Sequence, residues 1–245
     1  MTAKDWARSV GVAVLLATFC APLQARAGTV VLLTGEWPPY TGSREPQGGS
    51  MAAIVRAAYA VQGDSVRLGF FSWFRIARLQ QDNSGYAASF PHYYSEERAR
   101  RCHFSRPIGS SPLGVLTRTG QRVQWKTLAD LRRYRVGTGK SYVNVPEFDR
   151  LVAERKMVTV PALDDADNIR NLLAGKVDVV IIDRNVLAYL QNTAAFRNSA
   201  PLLQMDPRVL AVHNLYLCFP KHEKGRVARD RFDRSLLSLQ APLAP

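Results

Sequence analysis

The sequence predicts an α/β fold built on mostly parallel sheets, and three observations carry that expectation. Short, largely apolar runs at 29–34, 66–71, 85–90 and 177–182, the first and last rich in β-branched residues, alternate with stretches whose apolar residues recur at helical spacing. A content of 47% hydrophobic and 22% charged residues belongs to a globular chain rather than a disordered one. With 245 residues there is material for one large domain or two modest lobes, each with its own core.

Residues 1–27 read as a cleavable targeting signal. Lys4 and Arg8 form a positive start, residues 10–23 an apolar segment too short for a comfortable span, and Ala25-Arg26-Ala27 a small-x-small site before Gly28. Phe19 before Cys20 is a poor fit for a lipoprotein signal. No later run reaches the roughly 18 apolar residues of a membrane helix. The expected product is an exported, soluble protein.

The first strand, 29–34, stops at Gly35-Glu36-Trp37-Pro38-Pro39-Tyr40. Two prolines force an extended loop and hold Trp37 and Tyr40 at the strand's C-terminal end, where open α/β sheets bind ligands. The two rings either line a cleft or plug the core beneath the loop. Gly48-Gly49 turns the chain, and Ser50 is placed to cap a helix running to about Val61. That helix buries Met51, Ile54, Val55, Ala58 and Tyr59 and ends at Gly63. A second strand (66–71), a helix from Trp73 through Leu79 and a third strand (85–90) complete a β-α-β-α-β series, which demands parallel pairing with right-handed crossovers.

Residues 91–107 carry four arginines among aromatic, hydroxyl and thiol side chains. Ser95 is placed to cap a short helical turn, with Glu96 and Glu97 in the first turn where the helix dipole favours them. Arg98 is then fixed near a strand end, while Arg100 and Arg101 read as solvated charge. Residues 102–105 look extended.

A long strand at 108–117 carries the chain out of the first unit. A short helix (128–131) and a strand (135–137) lead to Thr138-Gly139-Lys140-Ser141-Tyr142, where backbone N–H groups and the Ser141 hydroxyl offer an anion site without the spacing of a phosphate-binding Walker loop. A helix (146–155) and a strand (157–160) follow. Asp164 to Asn168 start a helix with Ile169, Leu172 and Leu173 on its apolar face. The strand 177–182 ends at Asp183, a carboxylate placed to cap the helix 184–191, to meet a positive group, or both. A late strand (215–219) and a basic helix (227–239) close the chain.

The formal charge of +13 suits contact with anionic lipid, cell-wall polymer or an acidic partner. Zinc-finger spacing and RNA-binding aromatic motifs do not occur, so no nucleic-acid partner is expected. Neither a nucleophile–base pair nor a metal-ligand spacing is visible, so catalytic residues, metal and cofactor are all expected to be absent. Beyond the targeting signal two cysteines remain, Cys102 and Cys218. In an oxidising compartment they form a disulfide, or else they are two buried small hydrophobes.

Taken in order, several pieces resemble the family-3 periplasmic solute-binding proteins, the receptors that feed polar amino acids to ABC importers. They are Gly35 to Tyr40 with Gly48-Gly49, Ser72-Trp73-Phe74-Arg75-Ile76-Ala77, Ser95-Glu96-Glu97-Arg98 with Phe104-Ser105-Arg106-Pro107, Gly139 to Tyr142, and Gly175-Lys176-Val177-Asp178 leading to Asp183. The resemblance implies a periplasmic, monomeric, non-enzymatic protein of the type II periplasmic-binding-protein-like fold. Its two lobes, 28–109 plus 220–245 and 110–219, would be joined by two crossing strands, with a small polar, amino-acid-like solute between them and an ABC permease of the inner membrane as partner. It further implies that Arg98 grips a ligand carboxylate, Asp183 meets an ammonium and Ser141 supports the carboxylate. Trp37, Tyr40 and Trp73 would line the cleft, and the rings of Tyr93 and Tyr94 would reshape it. Two rival readings stay open. One is a sensor or interaction protein whose cleft those rings fill. The other is an exported dehydratase of cyclic carboxylic acids using His92, Glu96 and Glu97.

Overall fold

The computed structural model describes residues 28–82, 85–140, 142 and 144–240. The targeting signal read in residues 1–27, Ser141 and the Pro- and Ala-rich residues 241–245 lie outside them.

The first half is β1 (Thr29–Thr34), α1 (Ser50–Val61), β2 (Ser65–Phe70), α2 (Trp73–Asp82) and β3 (Ala88–Tyr93), then a short α3 (Glu96–Arg101) and β4 (Cys102–Phe104). A crossing strand β5 (Gly109–Arg118) leads to β6 (Val136–Gly139), α4 (Pro146–Ala153), β7 (Thr159–Ala162), α5 (Asp165–Leu173), β8 (Val179–Asp183) and α6 (Arg184–Gln191). A short β9 (Leu203–Met205), the returning strand β10 (Ala211–Pro220) and α7 (Glu223–Gln240) complete it.

The sheet order is β2-β1-β3-β10-β5-β8-β6-β7, with β4 beside β10 and β9 beside β5. β1 pairs in parallel with β2 and β3, and β6 with β7 and β8, as short βαβ units require. Between these two groups run β5 and β10, antiparallel to each other and to their neighbours β8 and β3. The structure is therefore two α/β lobes joined by two crossing strands. The core divides with them. Leu32, Val55, Ala88, Phe90, Leu217 and Phe232 pack in one cluster. In the other half, Val136, Phe148 and Val179 form one cluster and Leu116, Ile169, Leu172 and Ile182 another.

Several boundaries depart from expectation, each for a local reason. The third strand lies three residues later than 85–90 and runs through Pro91. Its ladder with β10 jumps from Tyr216↔His92 to Cys218↔Ser89, so Phe90 and Pro91 together face Leu217. A proline at such a bulge removes no ladder hydrogen bond. The segment 91–93, beyond the expected end of the strand at 90, is thus strand. β10 begins at Ala211 rather than Leu215, because residues from Ala211 to Leu215 pair with β5, the first four alternating between half-buried and exposed. β7 lies two residues later than expected, and α7 starts at Glu223. Ser50 is the first helical residue rather than the cap. Gly49 (φ 105°) holds the cap position, and the Ser50 hydroxyl donates to the Pro39 carbonyl.

Cys102 and Cys218 form a disulfide that ties β4 to β10. Among the described residues no helix is long and apolar enough to cross a membrane, and no group of His, Cys, Asp or Glu is arranged to hold a metal ion.

Candidate ligand cleft

The C-terminal ends of β1, β3 and β8 point toward the junction of the two halves, and polar side chains converge there. Beyond β1 the chain turns tightly at Trp37–Thr41, where the Tyr40 and Thr41 amides both donate to the Trp37 carbonyl. This turn sets Trp37 against Tyr40 in a tilted contact with ring centroids 4.7 Å apart, and edge-on to Tyr93 at 5.8 Å. From the opposite side, Asp164 caps α5 by accepting from the Asp167 amide, which leaves the next residue, Asp165, facing inward and 5% exposed. Trp37 Nε1 donates to Asp165 Oδ2 at 3.2 Å, and the Tyr142 hydroxyl donates to the same oxygen at 3.3 Å.

Asp183 closes the other wall. Its Oδ1 accepts from the amides of Asn185 (2.7 Å) and Val186 (2.8 Å), the N-cap of α6. Its Oδ2 accepts from the Tyr40 hydroxyl at 2.8 Å and, in a very short bond, from the Ser111 hydroxyl. Tyr93 hydrogen-bonds Ser111 in turn at 2.5 Å, and Asn185 Nδ2 donates to the Tyr40 oxygen. The carboxylate is thus a cap and a tether at once, with two donors on each oxygen.

Electrostatics follow from burial. Desolvation pushes the Asp165 carboxyl up to about 7, and the nearby Asp183 and Asp164 push the same way against the two donated hydrogen bonds. Burial also raises Asp183, opposed by Ser111 and by the cap amides. Tyr40, Tyr93 and Tyr142 are all raised, chiefly by burial and secondarily by these carboxylates. They remain neutral donors at any ordinary pH.

The space between the walls is lined by Trp37, Tyr93, Tyr142, Asn144, Asp165 and Asp183, over a floor of Leu113, Ile181 and Ile182. The volume open to the centre of a water-sized sphere is about 10 Å³, room for a single water. A further contact joins the halves nearby, where the Tyr189 hydroxyl donates to Glu45 Oε1 at 2.7 Å.

No family model matches this chain, and no curated protein does. Solved structures do. An ancestral arginine-binding protein bound to arginine superposes with a TM-score of 0.71 at 18% identity, over 87% of this chain and 92% of the other. A histidine kinase sensor domain with similarity to periplasmic binding proteins gives 0.70 at 21%, over 86% and 90%. The GluR0 ligand-binding core from Nostoc punctiforme, in complex with glutamate, gives 0.68 at 18%, over 86% and 92%. The chain has the fold of the two-lobed periplasmic binding proteins. The resemblance read from its motifs holds at the level of fold.

Within this binding-protein fold the sequence-read residues divide. Trp37, Tyr93 and Asp183 line the cavity, and Tyr40 is buried directly behind it, at 3% exposure. Trp73 stands to one side, its ring against Gly35 and edge-on to His92 at 5.9 Å. Arg98 lies outside the lining. Its Nη1 donates to the Tyr93 carbonyl at 3.1 Å, on a turn that Ser95 caps by accepting from the Arg98 amide. Burial lowers the Arg98 pKa, against the opposing charge of Glu97. Ser141 lies outside the described residues.

His92, Glu96 and Glu97 do not converge. His92 is buried against Ser89 and is pushed down to about 3 by desolvation and by Arg98, while both glutamates are exposed and Glu97 pairs with Arg101. Asp165, Tyr142 and Asn144 are the polar lining residues that sequence reasoning did not single out. One signal for Asp165 exists: counting back four residues from the buried Ile169 lands on it.

Proposed function

We propose that this chain is an exported binding protein that takes a small polar solute bearing an amino group between its lobes and presents it to an ABC permease at the inner membrane. The observation that carries the reading is Trp37 of one lobe meeting Asp165 of the other across a lined cavity at the strands' C-terminal ends. Groups from both lobes bonded through one site are what a solute must bridge to stabilise closure. Structures of this fold in complex with arginine and with glutamate support a solute of amino-acid size. The lobes we propose are 28–109 plus 220–245 and 110–219, in keeping with the division of the core and with β5 and β10 as the hinge. Periplasmic location and a monomeric state belong to the same proposal. Titration calorimetry of the purified protein against amino acids, amines and small carboxylates tests it. Saturable binding of one class at micromolar or tighter affinity is expected, and a panel without any binder sinks the reading.

One observation favours a second reading, that of a sensor or interaction module. The rings of Trp37, Tyr93 and Tyr142 leave room for about one water, and a sensor domain shares the fold. Small-angle scattering separates the two. A solute receptor contracts when its solute is added, whereas a filled module has the closed dimensions throughout.

A further inference from the structure

We propose that the solute is an organic amine cation with no carboxylate of its own. This rests on the solute-binding reading above and narrows it to one chemical class.

The cavity wall holds two carboxylates, three aromatic rings and one amide, and among the described residues no Lys, Arg or His lines it. The two carboxylates are not equivalent. Asp183 has both oxygens doubly occupied by amide and hydroxyl donors, so its charge acts on the cleft without an open position for a ligand. Asp165 is 5% exposed and has only neutral partners. Both fall on Oδ2, and among the described residues no donor meets Oδ1. A carboxylate oxygen with no donor among the described residues, on a cavity shared by both lobes, is placed to accept from a bound cation. Such a partner relieves the cost of holding that charge out of water. Trp37, Tyr93 and Tyr142 surround the same volume, and ring faces attract ammonium and guanidinium groups.

A carboxylate on the solute meets the opposite conditions. It would enter a low-dielectric space already holding two aspartates, where like charges a few ångströms apart repel strongly. The nearby guanidinium of Arg98 is outside the lining, its Nη1 donates to the Tyr93 carbonyl, and its charge helps hold the buried His92 neutral. The rings and Asp165 therefore select for positive charge, and the composition of the wall selects against negative charge.

Matched pairs differing by one carboxylate provide the test. Calorimetry is run with cadaverine against lysine and with agmatine against arginine, and glutamate is included as a wholly disfavoured probe. The expected result is binding of at least one amine at least tenfold tighter than its parent amino acid, with no heat from glutamate. Asp165→Asn, which keeps an acceptor for Trp37 and Tyr142, is expected to weaken that amine at least tenfold while the protein melts cooperatively. If a parent amino acid binds as tightly as its amine, or glutamate binds, this inference falls and the solute-binding reading stands. If no probe binds, and a wider panel of polar solutes also fails, both fall together. Unchanged amine affinity in Asp165→Asn overturns the assignment of the cation to Asp165. The matched pairs need no variant and decide the class by themselves.

Discussion

Replacing Asp165 by Asn isolates the effect of a carboxylate buried between the two lobes. The side chain is 5% exposed, accepts from Trp37 and Tyr142, and has its pKa pushed up to about 7, first by desolvation and then by Asp183 and Asp164. An unfolded aspartate titrates near ~3.9. Between those values the folded chain keeps a proton that the unfolded chain has lost. Stability therefore falls as pH rises through that window and levels off above it. The full shift of about three units corresponds to about 4 kcal/mol. Roughly two of those units act between pH 5 and pH 8, or about 3 kcal/mol, an upper figure because opening of the lobes rehydrates the carboxylate. In Asp165→Asn the side chain is neutral throughout, so this part of the pH dependence vanishes.

Urea unfolding at pH 5 and pH 8 measures the difference directly. The wild type is expected to lose between about 1 and 3 kcal/mol more than the variant on going from pH 5 to pH 8. Trp37 fluorescence of the native protein offers an independent view, because ionised Asp165 favours separation of the lobes and exposure of that ring. Identical pH dependence in the two proteins, within about 0.5 kcal/mol, would mean that Asp165 is hydrated. The reasoning that makes it the cleft's buried acceptor would then be wrong.

Other expectations follow from the same geometry. The disulfide joins cysteines 116 positions apart, so Cys102→Ser with Cys218→Ser should cost up to about 5 kcal/mol in urea unfolding, and a change below about 1 kcal/mol would show the pair unbonded in solution. Tyr40→Phe removes a donor from Asp183 and the acceptor of Asn185 Nδ2. A loss of about 1–3 kcal/mol is expected in thermal unfolding, and unaltered stability would argue against the tether. Gly49→Ala is predicted to destabilise by at least about 2 kcal/mol, because φ is 105° and an added Cβ would lie 2.5 Å from the Tyr40 carbonyl oxygen. A variant as stable as the parent would overturn that backbone.

The parallel strands are legible in the sequence because burial on both faces demands unbroken apolar runs, as at 30–33 and 179–182. The crossing strands are less so. β10 begins with Ala211-Val212-His213-Asn214, which shows no apolar run because its early residues alternate between half-buried and exposed positions. β3 passes through Pro91, a residue that ordinarily ends a strand, and only the bulge opposite Leu217 makes it admissible. That bulge is a property of the partner strand and cannot be read from residues 88–93 alone.

The cleft divides along the same line. Trp37, Tyr40 and Asp183 are legible because each stands at the end of an apolar run, where local sequence alone places it at a strand's C-terminal edge. Asp165 sits among three aspartates at a helix start, a pattern that reads as capping and dipole compensation. Asp164 does cap, and Asp167 pairs on the surface with Arg170. The remaining one faces inward because α5 presents the stripe through Ile169 and Leu172, and one turn earlier that stripe reaches Asp165. An acid on the buried stripe of an amphipathic helix is costly unless something meets it. Here Trp37 from the opposite lobe does so, and in the cation assignment proposed above the solute does so more strongly. The site's specificity then lies in a residue whose importance depends on helical phase and on the other lobe, which is why the neighbouring motifs point toward it without naming it.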